Sequence, residues 1–365
     1  MNPCRTLYRA EQLPVFQNRM FATREAARGC VRGDLEIVQD EATGLIFNRA
    51  FDPELMVYDA DYQNEQGHSP AFLDHLRSVA QRLACHLRGN TLIEVGCGKG
   101  YFLEHLQALG FDITGLDPAY EGSNPAVLRE YFTPATGLRA DGLILRHVLE
   151  HVKDPFTFLG QLRDANGGKG KIYIEVPCVE WIARHHAWFD LFYEHVNYFR
   201  LSDFARLFGT LYEAGHCFGG QYLYAVADLA TLRQPVATAG DLFDLPPALM
   251  QDVARTAARL TAAQQAGRPG AAVWGGASKG VIFSLFMERA GAPLSMIVDI
   301  NPAKQGKYIA ASGMRVHGPA EALECLAPGT DLFVMNGNYL NEIQALTDHQ
   351  FNCITLEHGH EHKDI

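Results

Sequence analysis

The stretch E-V-G-C-G-K-G (94–100) follows the apolar run T-L-I (91–93) and precedes an amphipathic segment that starts at Tyr101. A buried strand, a glycine-rich turn and a helix are the reading that fits this order. Glycines at 96, 98 and 100 permit a tight turn and a close ligand approach, and the first N–H groups of the helix point at that ligand. The next apolar run, F-D-I-T-G-L-D (111–117), ends in Asp117, where a carboxylate at the end of a second strand can accept hydrogen bonds from a ribose diol. The spacing G-C-G-K-G departs from the G-x-G-x-x-G of dinucleotide folds, so the expected ligand is nucleoside-like.

Further strands are expected in D-G-L-I-L-R-H-V (141–148) and K-I-Y-I-E-V-P (171–177), and their alternation with helical stretches predicts an α/β, doubly wound sheet. Ser69-Pro70 opens a helix to about Leu87, Asp154-Pro155 opens another, and Ser202 caps a third through about Tyr212. A second strand series appears at 271–276, 294–301 and 330–337, with a helical stretch after Ser278. The alanine-rich run 246–267 reads as a long connecting helix, and 218–245 as loop-like. The division predicted is a small N-terminal module (1–68), a ligand-binding domain (69–232) and a second Rossmann-like α/β domain (233–365).

A net charge of −11 argues against a nucleic-acid partner, because a phosphate backbone needs a basic surface. No window reaches the roughly 18 apolar residues of a membrane span, and M-N-P-C-R-T-L-Y-R-A lacks the apolar core of a signal peptide. A soluble cytoplasmic protein with no membrane partner is expected. The eight cysteines are scattered without a C-x-x-C, which favours free thiols.

The block E-x-G-x-G-x-G with an acidic residue ending the second strand resembles the class I S-adenosylmethionine methyltransferases. That resemblance implies S-adenosyl-L-methionine as cofactor, held by Glu94, Gly96, Gly98, Gly100 and Asp117. H-V-L-E-H-V-K-D-P (147–155) is similar to the block that closes over the adenosyl ligand in this group, which adds His147. His147 and His151 flank Glu150 in a way that suggests a metal, but the spacing places no third ligand, and a capping and packing role is expected of His151.

The C-terminal blocks W-G-G-A-S-K-G (274–280), V-D-I-N-P-A-K-Q-G-K-Y (298–308) and N-G-N-Y-L-N-E-I (336–343) resemble those of sugar C-methyltransferases acting on nucleotide-linked 4-keto-deoxysugars. The resemblance covers nearly the whole chain. In that family an N-terminal zinc is held by C-R-x-C and C-x-x-C-G-L, whereas here the matching positions read Cys4-Arg5-Thr6-Leu7 and D-E-A-T-G-L (40–45). With three of four thiolates gone, no zinc is expected there, and a hydrophobic or hydrogen-bonded core replaces it. Y-Q-N-E-Q-G-H-S (62–69) matches a stretch that folds over cofactor and substrate, which implicates Tyr62, Gln66 and Ser69; a polar linker ending in a helix cap is the other reading.

F-D-L-F-Y-E-H-V-N-Y-F (189–199) sets Glu194 and His195 among five aromatic rings. The family has Y-H-E-H where this chain has F-Y-E-H (192–195), which implies His195 as the base that removes a proton beside a ketone before the carbon is methylated. Glu194 would orient the imidazole, Tyr193 is displaced by one position from the family's tyrosine, and the aromatic surroundings would keep the ring neutral. Asn197 and Tyr198 would join the substrate wall, and Lys279 and Lys304 would hold an anionic tail, the alternative being that such lysines are surface charges. Two other functions stay open: methylation of oxygen or nitrogen on another small molecule, and binding without turnover in a biosynthetic complex. The oligomeric state is not legible, and the histidine-rich end (356–365) is assigned no role.

Overall fold

The computed structural model describes residues 3–56, 67, 69–238 and 240–356. Tyr62, Gln66 and the histidine-rich end beyond 356 lie outside the described residues.

Three larger sheets and a two-stranded one are formed among the described residues. The central one has seven strands in the order Leu211–Cys217, Tyr222–Asp228, Lys171–Pro177, Gly142–Arg146, Thr91–Val95, Asp112–Leu116, Val127–Leu128. It is parallel except that Tyr222–Asp228 runs against both of its neighbours, so the doubly wound sheet is a mixed one. Its strands are buried apolar runs such as Leu143, Ile144 and Leu145, as expected where both faces are covered. A separate five-stranded parallel sheet, ordered Val316–His317, Met296–Val298, Ala272–Trp274, Asp331–Val334, Asn352–Thr355, forms the C-terminal layer.

The helices begin where capping chemistry places them. Ser69 caps Pro70–Leu87 by accepting from the Phe72 N–H, and Asp154 caps Pro155–Ala165 by accepting from Thr157. The connecting helix runs Ala248–Gln265. The helix expected from Ser202 to Tyr212 is instead Leu201–Leu207, closed at its start by Arg200 and Asp203, and the chain then turns into the hairpin Leu211–Cys217/Tyr222–Asp228. Within the stretch read as loop-like, Y-L-Y-A-V-A-D forms a buried strand, because pairing with Lys171–Pro177 outweighs its weak local signal.

The N-terminal module is an antiparallel sheet of Cys4–Pro14, Arg32–Asp40 and Ile46–Asn48, completed by Asn197–Tyr198 from the aromatic stretch. Beside residues 4–7 and 40–45, Arg5, Gln39 and Arg200 form a set of hydrogen bonds. Gln39 Nε2 donates to Gly44 O at 3.1 Å, Arg200 donates to the same carbonyl at 2.6 Å, and Arg5 donates to Phe243 O. A second contact reaches the C-terminal domain, where Met20–Phe21 pairs with Tyr308–Ile309. The segment between them, including Asn18, is thereby laid between the two α/β layers. No helix among the described residues is long and apolar enough to cross a membrane.

Candidate active site

Parallel strands leave their functional loops at their carboxyl ends. Here the carboxyl ends of both α/β sheets open into one cavity of about 380 Å³. The central sheet supplies Glu94, Gly96, Gly98, Arg146 and His147, and the C-terminal sheet supplies Trp274, Gly275, Asp299, Asn301, Met335 and Asn336. The two layers use the same device. Gly98 N–H donates to Asp117 Oδ2 at 2.8 Å, and Gly276 N–H donates to Asp299 Oδ2 at 2.8 Å, each carboxylate following the second strand of its series.

The glycine loop fits an adenosyl ligand. Gly96, Gly98 and Gly100 all have positive φ (72°, 55° and 80°), and a side chain at 96 would meet Val148 Cγ2 at 2.6 Å. Glu94, 3% exposed, has a buried Oε2 without a hydrogen-bond partner at the cavity wall. Burial, reinforced by Asp117 and only partly offset by Arg146, pushes its carboxyl up to about 8. A cationic ligand head would complete this group by taking its proton away. At pH 6.5 binding of S-adenosylmethionine should therefore expel about one proton, and Glu94→Gln should abolish the release. Calorimetry in two buffers of different ionisation enthalpy reads this directly, and equal heats in both for the unaltered protein would contradict it.

Beside it lies a buried hub on Glu175. This carboxylate accepts from Arg146 at 2.9 Å and from Tyr173 at 2.8 Å, and it faces His75 and His147 each at 3.1 Å. Burial opposes its charge, but Arg146 and the two imidazoles outweigh that and hold it well below the usual carboxylate range. His147 has φ +52° and is clamped between Glu175 and Glu150, whose Oε1 lies 3.2 Å from Nδ1. Burial works against its charged form too, yet the two carboxylates prevail and raise it to about 9.

His195 stands at the same wall, 9% exposed, its ring 4.0 Å from Phe192 and 5.2 Å from His151 between centroids. Burial, then the neighbouring His151, His147 and Lys279, push it well below the ordinary imidazole value. The ring is neutral at neutral pH, the form that accepts a proton.

Asp190 and Phe192 of the aromatic stretch also line the cavity, whereas Tyr193, Glu194, Asn197 and Tyr198 do not. Glu194 Oε2 accepts from Gln17 N–H at 3.2 Å and lies 3.5 Å from Asn18 Nδ2, so it ties down the N-terminal segment. Tyr193 packs with Val15 and Phe16, and its hydroxyl accepts from Asp52 N–H at 2.8 Å. Tyr198 holds the backbone of Phe192, donating to its carbonyl at 3.0 Å, and Asn197 donates to Leu149 and Val152 carbonyls. These three brace the wall from behind.

Lys279 and Lys304 do reach the cavity, but each is already matched: Lys279 Nζ lies 3.1 Å from Asp190 and Lys304 Nζ lies 3.1 Å from Asp299. Ser69 Oγ donates to Glu342 of the C-terminal domain at 2.6 Å, which closes one side of the site. Sequence reasoning missed Asn18, Asp190, Gln221 and Asn336, all at the wall. Asn336 donates to Gln221 at 2.7 Å across the two layers, a pairing that no local pattern signals.

Residues 66–211 match the family model described as a methyltransferase domain. Among curated proteins, a ubiquinone biosynthesis O-methyltransferase of Methylobacterium is 36% identical over 87 residues, covering 20% of this chain and 35% of that protein. A tRNA U34 carboxymethyltransferase of Alteromonas mediterranea is 27% identical over 122 residues, covering 28% of this chain and 36% of that protein. The chain thus spans about a third of the length of the curated relatives it matches. Of solved structures, the plantazolicin methyltransferase BpumL in complex with S-adenosylhomocysteine is similar at 15% identity and a TM-score of 0.35, over 47% of this chain and 87% of that one. A Burkholderia thailandensis 1,6-didemethyltoxoflavin-N1-methyltransferase gives 16% identity and a TM-score of 0.33, over 44% of this chain and 80% of that one.

Proposed function

Because residues 66–211 are a class I methyltransferase domain, we propose that this chain transfers a methyl group from S-adenosylmethionine to a small-molecule acceptor held between its two α/β layers. The finer reading is methylation of a carbon beside a ketone in a nucleotide-linked sugar, with His195 taking the proton. The observation that carries it is the placement of a neutral, buried His195 in a cavity that also receives the glycine loop and the C-terminal strand ends.

S-adenosylmethionine, when bound, supplies an electrophilic methyl group on a sulfonium. Glu94, the loop of Gly96, Gly98 and Gly100, and Asp117 would hold it. His195 accepts the acceptor's proton at an imidazole nitrogen, while Phe192 and Tyr198 pack against the ring. The nucleotide-linked acceptor rests on the resemblance of the C-terminal blocks, and the cavity between the layers gives such an elongated molecule a place for each end.

A labelled-methyl assay with nucleotide-linked 4-keto-deoxysugars tests this. The expected product carries its label on carbon, stable to acid and to demethylating reagents. Label that acid removes would assign an oxygen acceptor instead, and absence of S-adenosylmethionine binding by calorimetry would sink the whole reading.

A further inference from the structure

Three groups of histidine, cysteine and carboxylate side chains bring their donor atoms within 4.8 Å of one another among the described residues. In the first, His75, Glu175 and Cys217, the carboxylate is already occupied by Arg146, His147 and Tyr173, and a guanidinium in the same shell repels a cation. Burial also pushes the Cys217 thiol far up, away from the thiolate a metal needs. In the second, Cys178, Glu180 and His216, the sulfur caps a helix by accepting from Trp181, the Glu180 carboxylate accepts from Leu201, and His216 is exposed. Neither group lines the cavity.

The third lines the cavity and keeps buried donor atoms without hydrogen-bond partners. We propose that Glu150, His151 and His195 form a binding site for a divalent transition-metal cation of the zinc–iron class on the wall of the active-site cavity. All three line that cavity. Glu150 is 1% exposed and its Oε2 is buried without a hydrogen-bond partner, as is Nδ1 of His151. Leaving such atoms bare is costly, and a cation with nitrogen and oxygen ligands satisfies them together. Two imidazoles and one carboxylate on one side leave the remaining coordination positions for water or ligand from the cavity.

The surroundings are built to support it. Glu150 Oε1 is held by His147, itself held by Glu175, so the carboxylate is oriented from behind in the way ligating carboxylates are. Val196 N–H donates to Glu150 O at 2.7 Å, which joins the two ligand-bearing segments. The spacing of His147 and His151 hinted at a metal but offered no third ligand; the fold supplies His195, 44 positions beyond His151, and uses His147 as a support.

The site has a consequence that rests on the methyl-transfer reading: a cation holding the lone pair of His195 prevents it from accepting a proton. Zinc therefore inhibits turnover, and a chelator restores it.

The test is a titration of the full chain with Co²⁺, followed by its visible absorption, with Zn²⁺ as competitor. His358, His360 and His362 near the end of the chain contribute equally to every variant, so the difference between proteins is the reading. Glu150→Gln, His151→Gln and His195→Gln should each lose one Co²⁺ equivalent and its absorption band, while binding of S-adenosylhomocysteine, the check on folding, stays unchanged. Equal stoichiometry and spectra in the unaltered protein and in folded Glu150→Gln and His151→Gln would overturn the site. If Co²⁺ binds as expected but zinc raises turnover, the site stands and the role of His195 as base falls; if no cation binds while His195→Gln still abolishes turnover, the site alone falls.

Discussion

Replacing His195 by Ala is expected to lower kcat for methyl transfer by about 10²–10⁴-fold, the usual loss when a positioned general base is removed. Binding of S-adenosylhomocysteine should be unaffected, since His195 is not part of the glycine loop. The size of the effect follows from the environment. Phe192 at 4.0 Å and near-complete burial exclude water from the ring, so no solvent base stands in its place. The pH dependence carries a sign. Burial, with His151, His147 and Lys279, depresses the imidazole below 6.5, so His195 stays neutral through the usual titration range of histidine and the acid limb of kcat/KM lies below pH 6.5. The same depression makes the folded protein lose stability as the pH falls below 6.5 toward the folded value, because the unfolded chain takes up a proton that the buried ring refuses. A variant that keeps more than a tenth of the activity would remove the base role, and a limb at or above pH 6.5 that is absent from His195→Ala would overturn the depression.

The fold was legible where local chemistry and burial agree. The strands at 91, 112, 142 and 171 announce themselves as apolar-rich runs, and Ser69 and Asp154 start helices by a mechanism contained in four consecutive residues. Legibility fails where pairing decides. Tyr222–Asp228 is a strand because Lys171–Pro177 offers it an edge, and Leu211–Cys217 follows only as the partner of that strand. Asn197–Tyr198 is similar: two residues of an aromatic run become the fourth strand of the N-terminal sheet by lying beside Ile46–Asn48.

The site divides along the same line. Glu94, Gly96, Gly98 and His147 line the cavity, and Asp117 is tied to this loop through the Gly98 N–H. Adjacent residues of the aromatic stretch do not share a fate. His195 lines the cavity, while Glu194 is held by Gln17 and Tyr193 by Asp52 of the N-terminal module. Residues that meet across layers carry no mark in sequence: Gln221 meets Asn336, and Asp190 meets Lys279.

That last pair yields the second large effect. Lys279→Met is expected to destabilise the fold by about 3–5 kcal/mol, the cost of leaving one member of a buried ion pair without the other, and Asp190→Asn should do the same. The side chains are 11% and 5% exposed, so solvent screens them little. Trp181 adds to the burden on Lys279→Met, because its ring lies 4.9 Å from the ammonium. The double variant Asp190→Asn/Lys279→Met should recover most of the loss, since it removes both charges at once, and urea midpoints of the four proteins give the coupling. Loss of less than about 1 kcal/mol in Lys279→Met would instead mark a pair of the weakly contributing, solvated kind. The outcome also bears on the acceptor. A lysine spent on Asp190 has no charge left to draw a diphosphate from solution, so KM for a nucleotide-linked substrate should change little in the folded double variant. A large rise in KM there, with stability restored, would show that the ligand displaces Asp190 and takes the ammonium for itself.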